Sequence, residues 1–279
     1  MTAEPDGQPL LHPDAVFCQF FGWSRSGTTL VGSLLNAHPA VLIGQEADAS
    51  LLVARGAGRD EVLVEIDRRD REFAALGRQW NGYDYTVGGG SSTTLQHPRR
   101  GEPLRVVGDK KAAGTVEVEA VSPGTLALLQ QTMGLPLRLV CVTRNPCDTI
   151  ATLSGNLHTD TPDWFAKRDD PVEDAVDWYL LLASLAQRIV DSGVAPVLLT
   201  SLESVVAAPA EEMRRILAFL GIADPSPEYL AECAAVVAPR RRRPSADLHL
   251  SEDSLGRLDR AVRSLPILQR YGGLGEGLC

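Results

Sequence analysis

The stretch from Phe17 to Leu30, Phe-Cys-Gln-Phe-Phe-Gly-Trp-Ser-Arg-Ser-Gly-Thr-Thr-Leu, constrains this chain more than any other. An apolar run fit for burial on both faces of a sheet breaks at Gly22, and helical spacing resumes near Thr28. Glycines at 22 and 27 permit a tight turn with converging N–H groups, and the helix start adds the positive end of its dipole. The expected occupant is an anion. The spacing is that of the nucleotide-binding loop G-x-x-x-x-G-K-[S/T], but Thr28 stands where the lysine that reaches the β/γ-phosphates belongs. Arg25, inside the loop, offers a planar fork that can grip a phosphate or sulfate oxygen. Taken alone, these residues also fit an ordinary strand-to-helix turn with a solvated arginine.

The rest of the chain alternates strand and helix patterns. Strands are predicted at 15–21, 41–43, 104–107, 137–143 and 197–199. Helices are predicted from about 28 to Asn36, where Pro39 stops the chain, at 58–80, from Ser122-Pro123 to Met133, and at 146–153. One or two more fall within 163–191, and others at 209–220, 226–237 and 251–265. This order predicts an α/β fold, a central parallel sheet sandwiched between helical layers, with right-handed crossovers. A single domain spans 15–279 behind a loose arm at 1–14, and the glycine-rich 81–101 reads as a mobile loop or a substrate-binding insertion. Ligand sites in such sheets lie at the carboxyl ends of the strands. That rule gathers residues 22–29, Glu46, Lys110 and Arg144 along one edge.

A net charge of −9 argues against a general nucleic-acid or anionic-membrane binder, so any polyanion site must be a local basic pocket. The five cysteines are odd in number and form no C-x-x-C pair, which speaks for reduced thiols in a cytoplasm and against a zinc site. Met1 to Asp14 lacks a basic-then-apolar leader, and no run reaches membrane-spanning length.

Four stretches together resemble the sulfotransferases that use 3′-phosphoadenosine 5′-phosphosulfate (PAPS). Trp23-Ser24-Arg25-Ser26-Gly27-Thr28-Thr29-Leu30 looks like their 5′-phosphosulfate loop, and Arg144-Asn145-Pro146-Cys147-Asp148 with Thr152 like their 3′-phosphate element. Gly108-Asp109-Lys110 is similar to a lysine-bearing strand end of several branches, and Thr200 to Gly221 to the late strand-to-helix segment. The likeness covers roughly 15–222 and implies the family's nucleotide-loop-like fold. The run from Arg25 through Ala37-His38-Pro39 to Gly44-Gln45-Glu46 is closest to the carbohydrate and protein-tyrosine branch. The basic residues expected after the carboxylate in the tyrosine branch are replaced by Ala47-Asp48-Ala49, which speaks against a protein tyrosine as acceptor.

The resemblance implies a role for each matched residue. Sulfuryl transfer builds negative charge on the leaving phosphate, so cations should ring it. Backbone N–H groups of Ser26, Gly27, Thr28 and Thr29 would hold the 5′-phosphate, with Arg25 and Lys110 at the bridging oxygen. Arg144 and Thr152 would hold the 3′-phosphate. Glu46 is the expected base for an acceptor hydroxyl, its rivals being a helix-capping role for the same carboxylate and catalysis by His38 or His158. Adenosine 3′,5′-bisphosphate (PAP) would be the product, with no metal required. The expected acceptor is a small molecule or carbohydrate, in a soluble bacterial enzyme; a homo-oligomer is left open. Trp23 is expected in the core, Asp148 and Glu203 in local structural roles, and Arg240 to Arg243 either solvated or closing over the donor. Rings available to an acceptor are Trp80, Tyr83, Tyr85, Trp164, Trp178 and Tyr179. The rival functions are a P-loop kinase or NTPase, with Asp109 holding magnesium, and a non-catalytic nucleotide-binding member of the fold.

Overall fold

The structure is a computed structural model that describes residues 10–80, 82–88, 103–237 and 244–272. Strands β1 (Leu11–Gly22), β2 (Val41–Gln45), β5 (Leu104–Lys110), β6 (Leu137–Thr143) and β7 (Val197–Ser201) form one sheet in the order β2-β5-β1-β6-β7. Every pairing in it is parallel. The apolar runs behave as central parallel strands must. Phe17 and Phe21 of β1 pack into one core, while Val16, Cys18 and Phe20 pack into the other.

Helices α1 (Thr28–Asn36), α10 (Pro209–Phe219) and α11 (Pro227–Val237) cover the face carrying Phe20. The opposite face is covered by α2 (Ala49–Ala54), α3 (Arg59–Ala75), α4 (Ala112–Val121), α5 (Thr125–Met133), α6 (Pro146–Ser154) and α8 (Pro171–Ser192), with α12 (Glu252–Ser264) outside α8. The α/β sandwich read from the sequence is therefore observed. Helix α8 shows how local chemistry sets an element. Asp170 accepts from the N–H groups of Val172 and Glu173, Pro171 opens the first turn, and Gly193 ends the helix in the left-handed region. Its buried stripe includes Ala175, Tyr179, Leu182, Ala183 and Ala186 at helical spacing.

The fold departs from the sequence expectations at several points. Strand β1 starts at Leu11, which pairs with Leu104, so residues 11–14 extend the central strand instead of forming an arm. Helix α4 is not signalled by the sequence, because Val116-Glu117-Val118-Glu119 alternates with a period of two. Helix α5 is not capped by Ser122-Pro123; Glu119 reaches forward and accepts from the N–H groups of Gly124 and Leu126. Of the cysteines, 18, 141 and 233 are free and buried, whereas Cys147 is disulfide-bonded, which sequence spacing could not show. The Gly89 to Gly101 part of the expected loop and Arg240 to Arg243 lie outside the described residues. Within 82–88 the chain forms β4 (Tyr83–Asp84), antiparallel to β3 (Gln79–Trp80). No described helix is long and apolar enough to cross a membrane.

Candidate active site

The carboxyl ends of all five sheet strands meet one cavity of about 960 Å³. Its wall includes Gly27 to Leu30 after β1, Glu46 and Asp48 after β2, Lys110 and Lys111 at the end of β5, Arg144 after β6 and Leu202 after β7. Short α7 (Leu157–Asp160) and the β3–β4 hairpin complete it.

At the cradle, Gly27 has φ +97° and serves as the N-cap of α1 without any side-chain cap. A Cβ on Gly27 would also meet the side chain of Leu202 at 2.7 Å, which would have to move, and the positive φ is what favours glycine here. An uncapped first turn leaves N–H donors of Thr28, Thr29 and Leu30 without intrahelical partners, on the cavity wall. Ser26 is buried and its hydroxyl donates to the carbonyl of Trp23, bracing the loop. Trp23 lies in the core, as expected, stacked on Tyr179 with its indole N–H donating to that residue's carbonyl.

Arg25 is itself left-handed, at φ 63°, and its guanidinium forms a two-point pair with Asp160 of α7 at 2.6 and 3.1 Å. Sequence reasoning placed Arg25 beside the bridging oxygen and did not foresee this carboxylate. Arg144 joins the two anion elements: its guanidinium donates to the carbonyl of Arg25 at 3.2 Å and to the hydroxyl of Thr152 at 3.4 Å. Burial lowers the Arg144 pKa, opposed by the charges of Asp148 and Glu203. Asn145 caps α6, accepting from the N–H groups of Cys147 and Asp148. Glu203 accepts from the N–H of Asn145 at 2.7 Å and from the hydroxyl of Tyr271 at 3.1 Å, so it fixes the start of this element. Asp148 accepts from the N–H of Ser245.

The third group is an ion-paired knot. Lys110, 2% exposed, runs its stem across Gly32 of α1 and donates to Glu46. Lys111 pairs with the other oxygen of Glu46 at 2.9 Å and with Asp48 at 3.6 Å. Burial alone pushes the Glu46 carboxyl up, but the two ammonium groups and their hydrogen bonds outweigh it and hold it at about 2. Lys111 is pulled down by burial and raised on balance by Glu46 and Asp48.

Glu46 and Asp48 both occupy the left-handed region, at φ 60° and 57°, an unfavourable choice for two non-glycine residues in one turn. Asp109 holds that turn. Its fully buried carboxylate accepts from the N–H groups of Ala47 at 2.8 Å and Ala49 at 3.0 Å. Burial pushes its pKa to about 7 against the lowering effect of those two bonds. Both oxygens thus serve the backbone, which disfavours the magnesium role of the kinase alternative. The same bonds mean that Glu46 does not cap α2; Asp48 is the N-cap residue and Ala49 turns to Asp109.

Neither rival histidine lines the cavity. His38 accepts from the N–H of Ala40 and packs edge-on against Tyr229, and His158 is exposed on α7. Of the available rings, Trp80, Tyr83 and Tyr85 line the cavity, while Trp178 and Tyr179 are buried in the core. Sequence reasoning missed Asp160, Arg69 and Glu117, which also line it.

This arrangement suits transfer of an anionic group from a doubly anchored donor, and comparison with known proteins gives the family. A family model described as "Sulfotransferase family" matches residues 20–226, well over half of the chain. The chain belongs to the sulfotransferase family. Among solved structures, a sulfotransferase from Mycobacterium avium, STF9, aligns over 91% of this chain and 78% of its own at 13% identity, with a TM-score of 0.51. A sulfotransferase from Alicyclobacillus acidocaldarius aligns over 95% of this chain and 97% of its own, at 17% identity and a TM-score of 0.49. The mouse sulfotransferase SULT7A1, complexed with PAP, aligns over 97% and 88% at 12% identity, TM-score 0.47. At 13% identity the likeness to STF9 concerns the fold alone. No curated protein matches the sequence.

Proposed function

We propose that the protein transfers the sulfuryl group of PAPS to a hydroxyl of a small molecule or carbohydrate. The observation carrying this reading is that one cavity holds an uncapped helix start, the Arg144–Thr152 pair and the Glu46–Lys110 pair. Two separated anion grips suit a donor with a phosphate at each end of its ribose. The fold fits the same donor class, and a neighbour of this fold is complexed with PAP.

The N–H groups of Thr28 and Thr29, with Ser26 and Gly27 shaping the loop, would hold the 5′-phosphate, and Arg144 with Thr152 the 3′-phosphate. Arg25 reaches an anion only by exchanging Asp160 for it. In the transfer the acceptor oxygen bonds to sulfur, the S–O bond to the phosphate breaks, and the acceptor proton leaves to a base. Lys110 meets the charge that develops on the leaving oxygen. Glu46 receives the proton, and its ion pairs link the two events. A carboxylate held at about 2 is a weak base, but each step of Lys110 toward the leaving oxygen removes Glu46's nearest cation and raises its proton affinity.

Calorimetry tests the donor. PAP should bind independently of magnesium and far more tightly than ATP; magnesium-dependent ATP binding would overturn the reading in favour of a kinase. Turnover of PAPS with a hydroxyl acceptor tests the residues, with Glu46→Gln and Lys110→Ala each expected to lower kcat by roughly 10²- to 10⁴-fold. Normal turnover in Glu46→Gln would remove that residue from the proton transfer.

A further inference from the structure

Arg25 sits beside the cradle, and its side chain already holds an anion. The guanidinium Nε and one Nη donate to the two carboxylate oxygens of Asp160 at 2.6 and 3.1 Å, in a pair whose side chains are only 16% and 11% exposed. A two-point fork of this kind is how arginine grips a phosphate or sulfate. Both residues line the same cavity as Gly27 to Leu30. The Asp160 carboxylate therefore stands where an anion bound to Arg25 would stand, and a donor arriving there meets a like charge at close range.

The surrounding contacts decide which partner gives way. Residue 25 is fixed in its backbone, left-handed at φ 63° and with its carbonyl held by the guanidinium of Arg144. Asp160 is the last residue of α7, a helix of four residues that begins at Asn156 without a side-chain cap. Exchange therefore moves the carboxylate and leaves the loop in place. We infer that Asp160 sets the affinity of the donor site: it is an internal anion that occupies Arg25 in the empty protein, yields to the 5′ anion of the donor, and returns as the product nucleotide leaves. The inference rests on the sulfuryl-transfer reading for the identity of the donor. A site that must first give up an internal partner binds with an apparent affinity reduced by the fraction of molecules in which that partner is away. Removing the carboxylate lifts the competition, and the gain belongs only to ligands charged at the 5′ position.

Titration calorimetry of PAP and of adenosine 3′-phosphate with the wild type, Asp160→Asn and Asp160→Ala tests this. PAP should bind both variants about tenfold more tightly than the wild type. Adenosine 3′-phosphate, which lacks the 5′ anion, should bind all three alike and so report an intact fold. In an Arg25→Ala background, Asp160→Asn should bring no gain. Weaker or unchanged PAP binding in a variant that keeps its affinity for adenosine 3′-phosphate overturns the inference and makes Asp160 a support for Arg25. A gain that persists without Arg25 overturns it as well, because it then belongs to the charge of the whole cavity. A wild type that binds ATP with magnesium and does not bind PAP defeats the donor reading instead, and the same comparison is then read on ATP against adenosine.

Discussion

Replacing Asp109 by asparagine should separate what this carboxylate costs the fold from what it does for the site. Asparagine keeps one acceptor oxygen, so one of the N–H groups of Ala47 and Ala49 loses its partner, which costs about 1–3 kcal/mol for a buried donor left unsatisfied. Against that stands the burial of the acid itself. Its pKa rises from 3.8 to about 7 on folding, so the folded state holds the proton more tightly than the unfolded state. The carboxyl's contribution is therefore fully present below pH 4 and is lost as pH rises toward 7, by on the order of 3 kcal/mol between pH 4.5 and 7. Asparagine does not titrate. Urea unfolding should find the wild type more stable than Asp109→Asn at pH 4.5 and no more stable than it at pH 7.

Activity should not follow stability. The turn bearing Glu46 contains two left-handed non-glycine residues, each a strain of about 1–3 kcal/mol, and with one clamp gone it relaxes. A shift of about 1 Å at a reacting group costs roughly a hundredfold, so kcat should fall by that order while PAP affinity holds. A stability difference that does not change with pH would refute the assignment of a raised Asp109 pKa. Unchanged kcat would refute its clamping of Glu46.

Two further outcomes follow from the same structure. Asp70 is fully buried between Arg78, at 2.9 Å, and Asn36, whose side-chain oxygen accepts from the N–H of Ile43; Asp70→Ala removes a buried charged hydrogen bond to Arg78 and should cost about 1.5–3 kcal/mol in urea unfolding. Arg144→Lys removes the fork that spans the Arg25 carbonyl and Thr152, and should weaken PAP binding at least about tenfold by calorimetry with little change in melting temperature; retained affinity would detach Arg144 from the donor site.

The sequence by itself determined the frame of this protein. Apolar runs long enough for burial on both faces, broken by glycine, proline and capping residues, prescribe five parallel strands and most of the helices, since those choices are local in backbone and solvation energy. The turns at Gly22 to Thr29 and at Arg144 to Thr152 were equally legible as strand-to-helix junctions, because glycine, proline and the N-cap residue mark such a junction locally. Only the tertiary structure decided which charges meet. Asp160 reaches Arg25 across 135 residues, Asp109 clamps a turn some 60 residues earlier, and Lys110 and Lys111 divide Glu46 between them. Helix α4 escaped the periodicity argument because its Val-Glu alternation imitates a strand, and with it went Glu117, which lines the cavity. Local propensity has a period and can be read along the chain. The balance of burial against pairing that sets an acid's strength depends on neighbours that the chain brings together only after it has folded.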